Sequence, residues 1–190
     1  MPILSEDKLQ IIINLRRDVL FHDGTSFNSK AIKFSFDRFK KIGTMNYILG
    51  NKIKSLETPS EYKVIINLNK PSSSINGLLT AVNLTPISPT FYKDYYDKPL
   101  NDKFVGTGKY ILKRFSNEVQ IIDPNLNYWG EKPNNEGISF IGYSNSSSLF
   151  GALKSKQIDV LLSNSIDDSQ RNSLNKISKN KNLKEGNSPF

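Results

Sequence analysis

The chain has 190 residues, a net charge of +8, 37% hydrophobic and 11% aromatic residues, and no Cys. Such a composition belongs to a folded chain of one domain, or one and a half, with length enough to bury a core. It excludes disulfides and thiolate chemistry, and no apolar run reaches the eighteen residues of a membrane span.

The N-terminal Met1-Pro2-Ile3-Leu4-Ser5-Glu6-Asp7 lacks the basic and then apolar order of a signal peptide, so any export signal is expected to lie outside this sequence. The basic balance raises nucleic acid or an anionic surface as a partner. The lysines, however, are scattered among Asp and Glu, with one modest cluster at Lys176, Lys179, Lys181 and Lys184. That is the pattern of a solvated surface, and no nucleic-acid partner is expected.

In chain order, Ile11-Ile12-Ile13 within Leu9 to Arg17 predicts a strand. Asp23-Gly24 marks a turn. Asn28 is a helix N-cap, because its side-chain oxygen accepts from a first-turn amide. Ile32, Phe36 and Phe39 then share one face of an amphipathic helix that ends at Gly43. Met45 to Leu49 predicts a further helical turn. Ile53 to Glu57 and Tyr62 to Leu68 read as paired strands across a Pro59-Ser60-Glu61 turn. Pro71 to Ser74 opens a short helix through Leu79. Pro86 and Pro89 break the chain, and Phe91 to Tyr96 predicts a short helix packed through its rings.

Gly106-Thr107-Gly108 opens a hairpin of Tyr110 to Phe115 and Val119 to Ile122 around a Ser116-Asn117 turn. Glycine at 106 and 108 is expected to supply backbone angles that a β-carbon forbids. Trp129, between Tyr128 and Gly130, is a large apolar plate expected in the core. A strand over Gly137 to Tyr143, a helix capped by Ser144-Asn145-Ser146, a short buried strand over Ile158 to Leu162 and a helix over Ile166 to Ile177 complete the order. Ser178 to Phe190 is polar. The mixture of elements is α/β or α+β.

His22, the one histidine, lies beside Asp23, half of a nucleophilic triad. No Ser sits in a Gly-x-Ser-x-Gly elbow and no catalytic residue is assigned. One His and no Cys exclude ordinary zinc sites, the Asp pairs lack a calcium-loop pattern, and no metal or cofactor is expected. Gly106-Thr107-Gly108 lacks the third glycine of a dinucleotide fingerprint and precedes a strand, so it reads as a turn. Tyr47, Trp129 and the Phe91-Tyr92-Tyr95-Tyr96 cluster offer rings either to a ligand or to core and rim packing. Ser163-Asn164 follows the expected buried strand, and ligands of open α/β sheets bind beyond the carboxyl ends of strands. Asn also offers both a donor and an acceptor to a peptide backbone. Ser163, Asn164 and Tyr47 are therefore the expected ligand-facing residues.

Three motifs carry a resemblance. Phe21-His22-Asp23-Gly24-Thr25-Ser26-Phe27 comes first. Val105-Gly106-Thr107-Gly108-Lys109-Tyr110 and then Asn127-Tyr128-Trp129-Gly130-Glu131-Lys132-Pro133 come second. Leu149 to Val160 comes third. In this order the chain resembles the family 5 extracytoplasmic solute-binding proteins of peptide and nickel ABC importers. It departs at Ser26 and Lys109, where the family usually has Pro.

The resemblance implies a type II periplasmic-binding-protein-like fold of mixed α/β (α+β) class, seen here as a partial lobe without the second lobe. Residues 1–17 would begin the first lobe, 18–99 would form an inserted small α+β domain, and 100–190 would return to the first lobe before the crossover. His22, Asp23, Gly24, Gly106, Thr107, Gly108, Tyr128, Trp129 and Gly130 would be structural, with His22 and Asp23 fixing the strand-to-helix turn. The parent would be a monomer outside the cytoplasmic membrane, periplasmic or at the cell surface. It would capture a peptide, or a nickel complex, and deliver it to ABC permease subunits, with no enzymatic role. Two alternatives stay open: a hydrolase using His22 and Asp23, and a small basic interaction module with no transport role.

Overall fold

The β-branched run at Ile11 to Ile13 sits inside an antiparallel sheet, in a computed structural model that describes residues 2–43, 46–81, 84–98 and 102–178. The chain divides into two units, 1–140 and 141–190.

In the first unit, strands β1 (Ile3–Leu4), β2 (Gln10–Asn14), β3 (Ile53–Ser60) and β4 (Lys63–Leu68) form a sheet in the order β1-β2-β4-β3. β2 pairs with β4 from Gln10↔Asn67 to Asn14↔Lys63. This sheet therefore joins residues on both sides of the expected boundary at 17/18. β1 was not expected: it has two residues, both exposed, too few to show a period.

The turn expected at Pro59-Ser60-Glu61 falls one step later, since β3 runs through Pro59 to Ser60. Pro59 has no N–H to give, yet it is tolerated because β3 is an edge strand and its register shifts between Glu57 and Ser60.

Helix α1 (Ser29–Ile42) starts where Asn28 accepts from the Lys30 and Ala31 amides, and Lys40 and Lys41 complement its C-terminal dipole. Its Ile32, Phe36 and Phe39 pack on a core of Ile11, Leu49, Ile53, Val64, Ile66, Leu68 and Ile75. Helices α2 (Asn46–Gly50) and α3 (Ile75–Leu79) close this core; Met45, at the start of the expected helical turn, lies outside the described residues. α4 (Pro89–Tyr92) continues into a 3-10 turn at Lys93–Tyr95. Its rings do pack together: Phe91 meets Tyr92 edge-on at 5.1 Å and stacks on Tyr95 at 6.1 Å.

A second sheet, in the order β5-β6-β7, holds β5 (Tyr110–Phe115), β6 (Val119–Pro124) and β7 (Ile138–Ile141). Ser116 closes the hairpin by donating its hydroxyl to the Val119 carbonyl and accepting from the Val119 amide, both at 3.0 Å. Gly137, with φ +136°, enters β7 so close to β6 that a β-carbon would lie 2.8 Å from the Ile122 carbonyl oxygen.

In the second unit, α5 (Ser146–Lys154) begins where the Asn145 side chain accepts from the Ser148 amide at 2.8 Å. α6 (Asp168–Ser178) begins two residues later than expected because Asp167 Oδ1 accepts from the Gln170 amide and so caps it. The strand expected over Ile158 to Leu162 is absent. A strand needs a hydrogen-bonding neighbour, and neither sheet takes this segment in. Val160 is 80% exposed and Leu162 69%. The polar stretch 179–190 lies outside the described residues.

Candidate functional site

The organising feature of the first unit is a clasp on the backbone of residues 103–109. The loop after Leu20 turns back at Asp23-Gly24, where Gly24 has φ +81°, and presents His22 to this segment. The His22 amide donates to the Gly106 carbonyl at 2.8 Å. Its Nδ1 accepts from the Gly106 amide at 3.4 Å, which leaves Nε2 as the protonated nitrogen, donating to the Gly108 carbonyl at 3.0 Å. Asn125, itself buried, donates its side-chain amide to the same Gly108 carbonyl at 3.0 Å. Tyr92 bridges the segment's start, donating to the Lys103 carbonyl and accepting from the Val105 amide.

Beside His22, Ser88 is fully buried. Its hydroxyl donates to Asp23 Oδ2 and accepts from the Phe91 amide, so it caps α4 while it holds the Asp23 loop. Thr25 donates to Asp23 Oδ1 through both its hydroxyl (2.6 Å) and its amide (3.0 Å). Burial pushes the Asp23 carboxyl up, but the bonds from Ser88 and Thr25 outweigh it and hold the group below the ordinary carboxylate range.

This arrangement is a poor nucleophilic triad. Both His22 nitrogens are taken by backbone groups, and the Ser88 proton goes to Asp23 rather than to a histidine. Among the described residues no three His, Asp or Glu side chains gather as a metal site.

Two expectations about the motifs need correction. Gly106 and Gly108 do not adopt positive φ, and a β-carbon at Gly106 would meet nothing within 4 Å. What the segment supplies is carbonyls and amides at the right spacing. Trp129 is not core: it is 42% exposed. One face carries the Arg16 guanidinium, 4.3 Å from the ring centroid, the Tyr128 ring lies 4.9 Å away, and Nε1 donates to the Thr107 carbonyl at 3.2 Å. A polar edge tied to backbone and a face stacked on a cation suit a rim position. Gly130 makes room for this packing, since a β-carbon there would sit 2.9 Å from the Tyr128 ring.

Of the residues expected to face a ligand, Tyr47 lies on α2 and is 64% exposed. Ser163 and Asn164 lie in the other unit on a 3-10 turn, Ser163–Ser165, and Asn164 is exposed. The strand whose carboxyl end was to position them is not formed. Sequence reasoning missed Ser88, Tyr92 and Asn125 as members of the clasp. Only Ser88 had a local signal, a capping serine directly before a proline at the first helical position.

The family model described as "Bacterial extracellular solute-binding proteins, family 5 Middle" matches residues 3–189. The probable D,D-dipeptide-binding periplasmic protein DdpA of Escherichia coli K12 is 27% identical over 161 residues, 82% of this chain and 31% of its own length. The glutathione-binding protein GsiB of Salmonella choleraesuis is 33% identical over 60% of this chain and 22% of its own. The chain thus spans a third or less of these relatives. Among solved structures, NikZ from Campylobacter jejuni in complex with Ni(L-His) superposes with a TM-score of 0.79 at 28% identity, over 95% of this chain and 36% of that one. DppA from Helicobacter pylori in complex with the peptide STSA gives 0.74 at 25%, over 83% and 36%. The fold is the mixed α/β fold of type II periplasmic binding proteins.

Proposed function

We propose, for a chain that belongs to family 5 of the bacterial extracellular solute-binding proteins, that it forms part of the substrate-capturing component of an ABC importer and that its solute is a peptide. The observation that carries this reading is the family match over residues 3–189, joined by relatives named for dipeptide and glutathione binding. NikZ, named with a nickel complex, supports the narrower second reading of a metal chelate. The clasp supports a scaffolding role for the shared motifs, because every polar atom of His22, Asp23 and Ser88 described above is spent on holding loops together.

In this reading residues 1–17 begin the first lobe, 18–99 form the inserted domain, with β2 shared in its sheet, and 100–190 return to the lobe. Tyr47, Ser163 and Asn164 are proposed to face the solute. The protein works outside the cytoplasmic membrane, as a monomer, without enzymatic activity and in contact with permease subunits. Capture proceeds by closure of two lobes on the solute, so most of the affinity depends on parts the relatives have beyond these 190 residues.

The test is thermal unfolding of the natural polypeptide that carries these residues, with di- to tetrapeptides and with Ni(L-His) in parallel. A peptide present at a hundred times its Kd stabilises the folded state by about 2.7 kcal/mol, which raises Tm by several degrees. A rise with peptides alone is the expected result. A rise with Ni(L-His) alone selects the chelate reading, and no rise with either rejects solute capture.

A further inference from the structure

Lys52 has hydroxyls for neighbours and no carboxylate. It lies between α2 and β3, half-buried. Its ammonium donates to Ser74 Oγ at 3.2 Å and to Ser72 Oγ at 3.4 Å. The two serines lie between β4 and α3, and their hydroxyl oxygens are 3.2 Å apart. The three polar atoms make a triangle of nearly equal sides, and the frame beneath it is fixed. Lys52 directly precedes Ile53 and Ser74 directly precedes Ile75, both members of the buried core. Ile53 pairs with Leu68 across β3 and β4. The Asn69 amide donates to the Lys52 carbonyl at 2.9 Å, and the Asn69 side-chain amide donates to the Asn51 carbonyl at 3.3 Å.

The charge in this triangle is unmatched. Among the described residues Lys52 forms no ion pair; the cations that do are Lys33, Lys41, Lys113 and Arg171. Residues 50–56 and 68–80 contain no Asp or Glu, and they add Lys54 and Lys70, both exposed. An ammonium carries three N–H donors, and two go to the serines. The serines bring two O–H donors, and one is spent between them. One N–H, one O–H and a whole positive charge are left to be met from outside the protein's own side chains. A partly desolvated cation is stabilised when an anion pairs with it. We propose that Lys52, Ser72 and Ser74 form a binding site for a tetrahedral oxyanion of the phosphate type. Lysine supplies the point charge that such an anion needs, and the hydroxyls supply direction. The site is separate from the residues proposed to face the solute and stands or falls independently of which solute is carried.

Isothermal titration calorimetry of the natural polypeptide that carries these residues, with sodium phosphate and with sodium sulfate, is the test. Ionic strength is held constant so that screening does not change. Saturable binding of one anion per chain is the expected result. Lys52→Met should remove it. The double variant Ser72→Ala with Ser74→Ala keeps the charge and should weaken binding about tenfold or more, as for lost hydrogen bonds to a charged acceptor. Lys70→Met, outside the triangle, should leave binding in place. Thermal unfolding without anion checks that each variant folds, and either the lysine or the serine variant alone decides the matter. Sedimentation with phosphatidylglycerol vesicles, against phosphatidylcholine, separates two sources of the phosphate group. Attachment that Lys52→Met abolishes and free phosphate reverses assigns the site to a lipid headgroup; saturable phosphate binding without such attachment assigns it to the free anion. Absence of saturable binding to phosphate and sulfate, together with no Lys52-dependent attachment to vesicles, would overturn the proposal. Binding that survives Lys52→Met, or that the serine double variant leaves unchanged, would overturn it as well.

Discussion

Asp23 is where the clasp is most sensitive to single atoms, since it accepts from the Ser88 hydroxyl and from two donors of Thr25. Its carboxyl titrates lower in the folded chain than in the unfolded one. Between the two values the unfolded state binds more protons, so stability rises with pH there. The contribution is complete above the ordinary carboxylate range and is lost as pH falls through the lower, folded value. Urea titrations across acid pH should show this loss, and Asp23→Asn should flatten it. Ser88→Ala removes a buried cap and a partner of Asp23 together and should cost about 1–3 kcal/mol. His22→Ala should cost a similar amount, by leaving the Gly106 amide and the Gly108 carbonyl without their ring partner. The sequence made His22 and Asp23 conspicuous, but Ser88 and Asn125 reach the clasp across 65 and 17 residues. No local pattern reports partners so distant.

The elements themselves were largely legible, because their causes are local. Asn28 caps α1, the Ile11 to Ile13 run pairs as β2, and the Ser116 turn closes the β5-β6 hairpin, each by a signal inside a few residues. Failures came where a neighbour decides. Ile158 to Leu162 has strand composition without a strand beside it, and Pro59 stays in β3 because an edge and a register shift excuse its missing donor. Size alone predicts Trp129 in the core, whereas its indole N–H and the Arg16 cation hold it at a rim. Glycines separate along the same line. Gly137→Ala combines positive φ with a 2.8 Å approach to the Ile122 carbonyl, so it should destabilise strongly, by more than the about 1–2 kcal/mol of left-handed strain alone. Gly106→Ala has neither problem and should be nearly neutral. Comparing the two by chemical denaturation tests whether backbone carbonyls, rather than glycine flexibility, explain the Gly-Thr-Gly segment.

In the proposed function these residues are one part of a capture device: a sheet-and-helix core under α1, a hairpin clasped to it through His22, and a second unit with an uncovered strand-like segment. The fold follows from the sequence and matches relatives that carry peptides or chelates by name. The solute does not, because residues that choose it act from several chain segments at once, and Tyr47, Ser163 and Asn164 are proposed positions only. Import itself is the decisive observation. Uptake of a radiolabelled dipeptide should be measured in cells of the source organism with the coding sequence for these residues intact, deleted and restored. The account predicts that uptake falls to background on deletion and returns on restoration. Uptake of dipeptides and longer peptides that is unchanged by deletion would contradict it.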